Sequence, residues 1–213
     1  MRMTEADHPK ARSYLLNVGG LVEGGLVLLA LGFGWLAGID PLESFAWRWS
    51  AVAWGLGATV PLFLLFLLGH RFAVGRLQRV YRFLIEGFGP MLAACRWYDL
   101  VLLALLAGFA EELLFRGVLQ PWMESWGRMA GLIGSNVIFG LAHLITPAYA
   151  LVTGLIGLYL GLLLDAGGER NLLAPIITHA LYDYLAFLVV IDTVRREKRT
   201  FPGETAAVPP DDA

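Results

Sequence analysis

Long apolar segments separated by short polar ones run through most of the chain. A helix that crosses the hydrocarbon core of a bilayer needs about 20 apolar residues. Six segments approach that length, and we predict membrane spans at residues 14–37, 49–68, 98–120, 128–146, 148–165 and 172–191. The predicted fold class is therefore all-α, a polytopic bundle of transmembrane helices.

A further helix is predicted between the second and third spans, within residues 70–97. Apolar residues recur there at helical spacing, namely Leu77, Val80, Leu84, Ile85 and Phe88. Three arginines fall off that stripe, namely Arg76, Arg79 and Arg82. Such a pattern is typical of an amphipathic helix lying at the membrane interface.

Composition also indicates a membrane protein. Of the 213 residues, 57% are hydrophobic and only 16% are charged, whereas about 25% of the residues of a soluble domain are charged. The net charge of −2 argues against nucleic acid as a partner. The partner that the sequence predicts is the lipid bilayer itself.

Lys and Arg are distributed unevenly between the predicted loops. Three precede the first span, five lie between the second and third spans and four follow the last, with one in each of the loops at 38–48, 121–128 and 166–171. The positive-inside rule therefore places both termini in the cytoplasm. With that topology residues 111 and 179 fall in the outer half of the bilayer, and outward opening of the site is a hypothesis that rests on the loop charges alone.

Two carboxylates and an arginine interrupt the third span in the sequence EELLFRG at residues 111–117. Each costs roughly 2.5–3.5 kcal/mol at the centre of a membrane helix, so such residues mark a functional site or an ion cluster that packs helices. Arg116 follows Glu112 by four residues and shares its helix face, whereas Glu111 points about 100° away. We predict a structural pair of Glu112 and Arg116, which leaves Glu111 for chemistry.

Two histidines in other spans are candidate neighbours of Glu111. His143 closes the sequence FGLAH in the fourth span, and His179 opens HALYD in the sixth. Asp183 follows His179 by four residues and so shares its helix face. We predict that these four residues form a catalytic cluster.

Two chemistries fit the predicted cluster. In the first, Glu111 acts as general base with His143 and deprotonates a water that attacks an amide, while His179 and Asp183 orient or stabilise the oxyanion. In the second, Glu111, His143 and His179 bind zinc. The metal-free version is favoured because the common zinc-protease signature, H-E-x-x-H on one helix, is absent.

These motifs resemble those of the CPBP family of intramembrane proteases, which includes the type II CAAX prenyl endopeptidases and bacteriocin-processing, Abi-type relatives. The family pattern is E-E-x-x-x-R, then F-x-x-x-H, then H-x-x-x-N or H-x-x-x-D. The three motifs occur here in that order, at residues 111–116, 139–143 and 179–183. The resemblance implies cleavage of a peptide bond in or next to the bilayer.

The resemblance also implies roles for single residues. Glu111 and His143 would activate water, and His179 with residue 183 would stabilise the oxyanion. Asp183 stands where the CAAX enzymes have Asn, and an ionised carboxylate is a poor oxyanion donor. We therefore expect Asp183 to orient His179.

From the resemblance we predict a multi-pass protein of the cell membrane, such as a bacterial inner membrane. The predicted substrate is a protein or peptide with a terminal hydrophobic or sorting segment. We expect a single membrane domain over residues 1–213, with a catalytic core at 98–191 and a charged, disordered tail at 192–213.

Two other functions remain open from the sequence. A proton-coupled membrane transporter is the main alternative, since buried Glu and His also form proton relays, and Glu23 adds an ionisable group to the first span. Only six predicted spans and the lack of an internal repeat argue against it. A scaffold without catalytic activity, in which the charges only pack helices, is the third possibility.

Overall fold

The computed structural model describes residues 7–200, and every regular element in that range is a helix. The α-helices are α1 His8–Ala37, α2 Trp49–Phe72, α3 Gly75–Phe83, α4 Gly89–Ala93, α5 Trp97–Leu114, α6 Gln120–Glu124, α7 Arg128–Ala142, α8 Pro147–Leu163 and α9 Leu173–Thr200. Two π-helical turns, Leu84–Phe88 and Phe115–Leu119, join α3 to α4 and α5 to α6. The predicted all-α class is confirmed.

Each of the six predicted spans corresponds to a helix. Among the described residues, three helices are long and apolar enough to cross a membrane, namely α1, α2 and the part of α9 from Leu173 to Glu197. The third predicted span is α5, which carries three acidic residues in its 18. The helices α7 and α8 are apolar but have only 15 and 17 residues, which gives them lengths of about 22–26 Å.

The fourth span is shorter than predicted, because α7 ends at Ala142 instead of continuing to residue 146. His143 follows at φ −99° and ψ 24°, in the bridge region between helical and extended backbone. Its ring nitrogen Nδ1 lies 2.9 Å from the carbonyl oxygen of Phe139. The helix end thus places His143 at the rim of the bundle interior, not within a longer span.

The last span is longer than predicted, which corrects the tail assigned to residues 192–213. The helix α9 continues to Thr200 because its added turns are held on two faces. Val194 is buried, and a Cβ added to Gly89 on α4 would lie 2.5 Å from its side chain. Asp192 pairs with Arg196 at 2.7 Å. The remainder of the predicted tail, 201–213, lies outside the described residues.

The amphipathic pattern of residues 70–97 is confirmed in α3 and the turn that follows it. Val80 is buried and the three arginines of this helix are exposed, although Phe88 at the end of the predicted stripe is 36% exposed. The Tyr81 hydroxyl donates a hydrogen bond of 3.1 Å to the carbonyl of Phe66 and so ties α3 to α2. The position of this helix at a membrane interface stays a prediction.

The helix α5 occupies the centre of the bundle, packed against α1 on one side and α9 on the other. Its approach to α9 depends on Gly108, where an added Cβ would lie 2.8 Å from the backbone nitrogen of Ala180. An apolar cluster toward the C-terminal end of α5 joins this helix and its π-turn to α7 and α9. It includes Leu113, Phe115, Val118, Phe139 and Ile176. The bundle thereby brings the carboxylates of α5 next to the histidines of α7 and α9.

Candidate active site

Two side chains, Arg116 and His179, bond the carboxylate of Glu112. Its side chain is fully buried. The carboxylate oxygen Oε1 accepts a hydrogen bond of 3.0 Å from Nη1 of Arg116 and one of 2.7 Å from Nδ1 of His179. Because a buried carboxylate needs such partners, Glu112 is anchored to its own helix and to α9.

Arg116 continues this polar contact into the core. It is 1% exposed, and its Nη2 donates to Oδ1 of Asn136 at 2.9 Å and to the carbonyl of Gly157 at 2.5 Å. Its guanidinium also lies over the ring of Phe139, 4.9 Å from the centroid. A Cβ at position 157 would lie 2.6 Å from Oδ1 of Asn136, so glycine leaves the room that this contact needs.

Glu111 has a different environment from its neighbour. Its Oε2 lies 3.7 Å from Nε2 of His143 and 4.0 Å from Nε2 of His179. Oε2 is buried and has no hydrogen-bond partner among the described residues. Both separations exceed the length of a direct hydrogen bond, so the three groups face one another across a gap that a single small polar molecule can bridge.

The hydrogen bonds at Nδ1 fix which nitrogen each histidine turns to Glu111. The carbonyl of Phe139 can only accept, so Nδ1 of His143 carries the hydrogen and Nε2 points into the site. The carboxylate of Glu112 likewise accepts from Nδ1 of His179. These tautomers are assigned from the partners, and they leave both Nε2 atoms facing the same space.

Asp183 lies within ion-pair distance of His179, but it does not hold the imidazole through a hydrogen bond. Its Oδ2 lies 3.6 Å from Nε2 of His179, whereas Nδ1 is held by Glu112 at 2.7 Å. The carboxylate that orients His179 is therefore Glu112, which adds a second contact to its pairing with Arg116. Asp183 lies on the reaction side of the imidazole.

A cavity of about 300 Å³ connects these residues with the amphipathic segment. Its polar end is formed by Glu111, His143, His179 and Asp183, together with Glu23 of α1. Apolar residues of α3 and its π-turn form the opposite wall, namely Leu77, Val80 and Leu84.

The lining residues indicate the end of the bundle toward which this cavity extends. It runs toward the end of the bundle where α3 and α4 lie, and α4 packs there against the last turns of α9. The N-terminal part of α1 reaches the same end, because Arg12 binds both carboxylate oxygens of Asp99 at 2.6 Å. Loop charges can orient a bundle, but they do not indicate in which half its helices diverge.

The alternative mechanism assigns a zinc ion to Glu111, His143 and His179. Within residues 7–200, no group of three or more His, Cys, Asp or Glu side chains could hold a metal ion. Glu111, His143 and His179 converge, and the separations of 3.7 and 4.0 Å from Glu111 Oε2 to the two Nε2 atoms leave room for a small polar molecule. No step proposed below uses a metal.

A second ionic cluster lies beyond the end of α8, between the end of α6 and the start of α7. Arg170 binds Asp165 at 2.9 Å and Glu124 at 2.7 Å, and Arg128 contributes a longer contact of 3.4 Å to Asp165. The hydrogen bonds from Arg170 lower the pKa of Asp165 below its ordinary value. This cluster joins α6 to the loop before α9, away from the cavity.

Sequence reasoning missed two contributors to the site. Asn136, which holds Arg116, gave one usable signal, because an amide in an otherwise apolar helix needs a partner. The contact of Glu112 with His179 gave no signal, since it joins helices 67 residues apart in sequence.

A protein-family model matches part of the chain. Residues 92–185 match the family described as Type II CAAX prenyl endopeptidase Rce1-like, and this stretch contains Glu111, His143, His179 and Asp183. No curated protein and no solved structure matches the chain. The resemblance predicted from the three motifs is confirmed: the matched stretch covers a little under half of the chain and is similar to the Rce1-like type II CAAX prenyl endopeptidases.

Proposed function

We propose that the protein is an intramembrane endopeptidase in which Glu111 activates a water for attack on a peptide carbonyl. One observation carries the proposal. Glu111 Oε2 lies within 4.0 Å of Nε2 of both His143 and His179 at the polar end of an apolar cavity, and it has no hydrogen-bond partner among the described residues. The family match supports the same class of activity.

In the proposed reaction Glu111 takes a proton from the water while the water oxygen forms a bond to the peptide carbonyl carbon. His143 shares this task, because its Nε2 faces Glu111 and its Nδ1–H is occupied by a backbone carbonyl. The proton then passes to the nitrogen of the leaving amine as the carbon–nitrogen bond breaks. General acid–base catalysis of this kind contributes roughly 10²–10⁴-fold to a rate.

His179 is proposed to stabilise the oxyanion of the tetrahedral intermediate. Glu112 fixes its ring, and in the doubly protonated form its Nε2–H points into the site, where it can donate to the developing negative charge. Asp183 cannot donate as a carboxylate. Its proposed role is to balance the charge of His179 from 3.6 Å.

The proposed substrate is a protein or peptide whose terminal hydrophobic or sorting segment enters the apolar cavity. We further propose that both termini are cytoplasmic, as the loop charges predict. Since the cavity extends toward the end of the bundle that holds α3, the substrate then enters from the cytoplasmic side. Cysteine labelling of positions 122–126 and 195–199 in intact cells tests this topology.

Cleavage by the purified chain in lipid vesicles tests the proposed function. Peptides with a C-terminal apolar segment are incubated in ¹⁸O-labelled water, and products are identified by mass spectrometry. We expect one new carboxyl terminus carrying ¹⁸O, and loss of this product in Glu111→Gln. Proton-linked flux without a peptide product would contradict the proposal and favour a transporter.

The metal-free mechanism has a separate test. We propose that the hydrolysis depends on Glu111 and the histidines alone. Elemental analysis of active, purified protein should find no stoichiometric zinc, and chelation should leave the rate unchanged. One zinc bound per chain, with activity lost on chelation, would contradict this part of the proposal.

A further inference from the structure

Glu23 is a partly buried carboxyl that the proposed reaction does not use. It lies in α1, outside the stretch that matches the family. Its Oε2 is buried and has no hydrogen-bond partner among the described residues. A carboxylate in the centre of a membrane helix opposes insertion and by default marks a functional site.

The position of Glu23 connects it with the reacting groups. It lines the same cavity as Glu111 and His179 and is close enough to both for an electrostatic interaction. One turn earlier, Gly19 lets α1 lie against α5, since a Cβ there would be 2.9 Å from the side chain of Leu103. This close packing holds Glu23 at the cavity wall.

No Lys or Arg of the described residues is paired with Glu23, and the nearby group that can carry a positive charge is His179, which makes no hydrogen bond to it. Among the described residues that line the cavity there is no Lys or Arg. The two arginines of the helices beside it already hold other carboxylates, because Arg12 binds Asp99 and Arg116 binds Glu112. The acceptor on Glu23 is therefore available to a group from outside the chain.

We propose that Glu23 is a binding subsite for a cationic side chain, an ammonium or guanidinium group, of the peptide substrate. This inference rests on the proposed function. Between apolar walls a carboxylate and a cation attract each other more strongly than in water, and an unpaired buried charge is strongly unfavourable. A substrate segment with one cation among apolar residues can pack against the apolar walls of the cavity and pair its cation with Glu23.

Paired peptides test the subsite in the purified chain. In a peptide that the protein binds, each position around the cleaved bond is replaced in turn by Lys or by uncharged norleucine, which has a similar length. We expect one position at which Lys gives a kcat/KM at least tenfold above norleucine. The preference should disappear in Glu23→Gln and reverse toward a Glu-containing peptide in Glu23→Lys.

A matched control and a readout without cleavage complete the test. Glu43→Gln changes an exposed carboxylate between α1 and α2 and should keep the preference for Lys. In the Glu111→Gln background, the Kd of the Lys peptide should rise at least tenfold when Glu23→Gln is added, whereas the Kd of the norleucine peptide changes less.

Two results would overturn the subsite. One is equal kcat/KM for Lys and norleucine peptides at every position of a peptide that is cleaved, in which case the proposed function stands without it. The other is an unchanged Kd for the Lys peptide when Glu23→Gln is added to Glu111→Gln. If the Lys peptide binds through Glu23 but is never cleaved, the subsite stands and the protease function fails.

Discussion

Glu111 and Glu112 are neighbours in sequence with opposite environments. Glu112 is fully buried, and its Oε1 is held by Arg116 at 3.0 Å and by His179 at 2.7 Å. Glu111 faces a cavity. Oε2 of both residues lacks a hydrogen-bond partner among the described residues, so the difference lies in the two groups that hold Oε1 of Glu112. Of two adjacent glutamate side chains, one thus bonds neighbouring helices and the other faces the cavity.

The difference originates in helix geometry and in the partners that neighbouring helices bring. Successive residues of a helix point about 100° apart, so one carboxylate meets the core while the other meets the diverging helices. Gly108 lets α9 come close enough for His179 to reach Glu112. The hydrogen bond at Nδ1 then turns the other nitrogen of His179 toward Glu111.

The largest expected effect on stability comes from breaking the buried pair. Glu112→Leu leaves Arg116 without its carboxylate, and removing one partner of a buried ion pair costs about 3–5 kcal/mol. Unfolding of the purified protein in mixed micelles measures this loss. The double variant Glu112→Leu/Arg116→Leu should lose less, because the buried guanidinium is no longer stranded, and an equal or larger loss would contradict the pairing.

The next largest effect is expected on activity, from a change to His143 in the cavity lining. His143→Ala should lower kcat/KM roughly 10²–10⁴-fold, as expected for the loss of a general acid–base group, while the unfolding midpoint stays close to that of the wild type. His70→Ala is the matched control, because His70 bonds Thr193 and does not line the cavity. Equal losses of activity in both variants would place His143 among structural residues.

A smaller effect is expected at the crossing of α5 and α9. Gly108→Ala introduces a methyl group 2.8 Å from the backbone nitrogen of Ala180, and overpacking of this kind costs about 1–3 kcal/mol. Activity should fall as well, because a shift of α9 moves His179 away from Glu112. Gly57→Ala, with no neighbouring atom within 4 Å, should leave both quantities unchanged; parallel behaviour of the two variants would contradict this account of the crossing.

The smallest effect concerns the exposed ionic cluster, which contrasts with the buried pair. Asp165→Asn removes contacts that are partly exposed to solvent, worth about 0.2–1 kcal/mol. The pKa of Asp165 is lowered by Arg170, so its contribution to stability is present above the unfolded-state pKa of about 3.9. That contribution is lost as the pH falls through the lower folded-state pKa.

Unfolding at several pH values tests this sign. The gap in stability between wild type and Asp165→Asn should be constant near neutral pH and should close as the pH falls below about 4. A gap that widens on acidification would contradict the lowered pKa.

The sequence predicted the helical elements and the separation of the two glutamates because both depend on local periodicity. Apolar length gave the six helices, and the spacing of Glu112 and Arg116 predicted that they share a face, where the structure has their 3.0 Å contact. The end of α7 at Ala142 was harder to predict from the sequence. The apolar sequence runs on to Ile145, and only the backbone turn at His143 ends the helix.

Contacts between helices could not be predicted in the same way. Periodicity shows which residues of one helix share a face, but it does not show which face of α9 meets α5. The contact of His179 with Glu112 instead of Asp183 depends on that choice. The direction of the cavity depends on how α1, α3 and α8 diverge, which is set by packing over the whole bundle.

The most direct test of the account compares Glu111→Gln with Glu112→Gln, two isosteric changes at adjacent residues. Peptide cleavage and the unfolding midpoint are measured on the same purified preparations. We predict that Glu111→Gln lowers kcat/KM by at least about 10²-fold with an unchanged midpoint, whereas Glu112→Gln lowers the midpoint markedly. Full activity in Glu111→Gln, or the same change of midpoint in both variants, would contradict the central claim that Glu111 activates the water while Glu112 holds the fold.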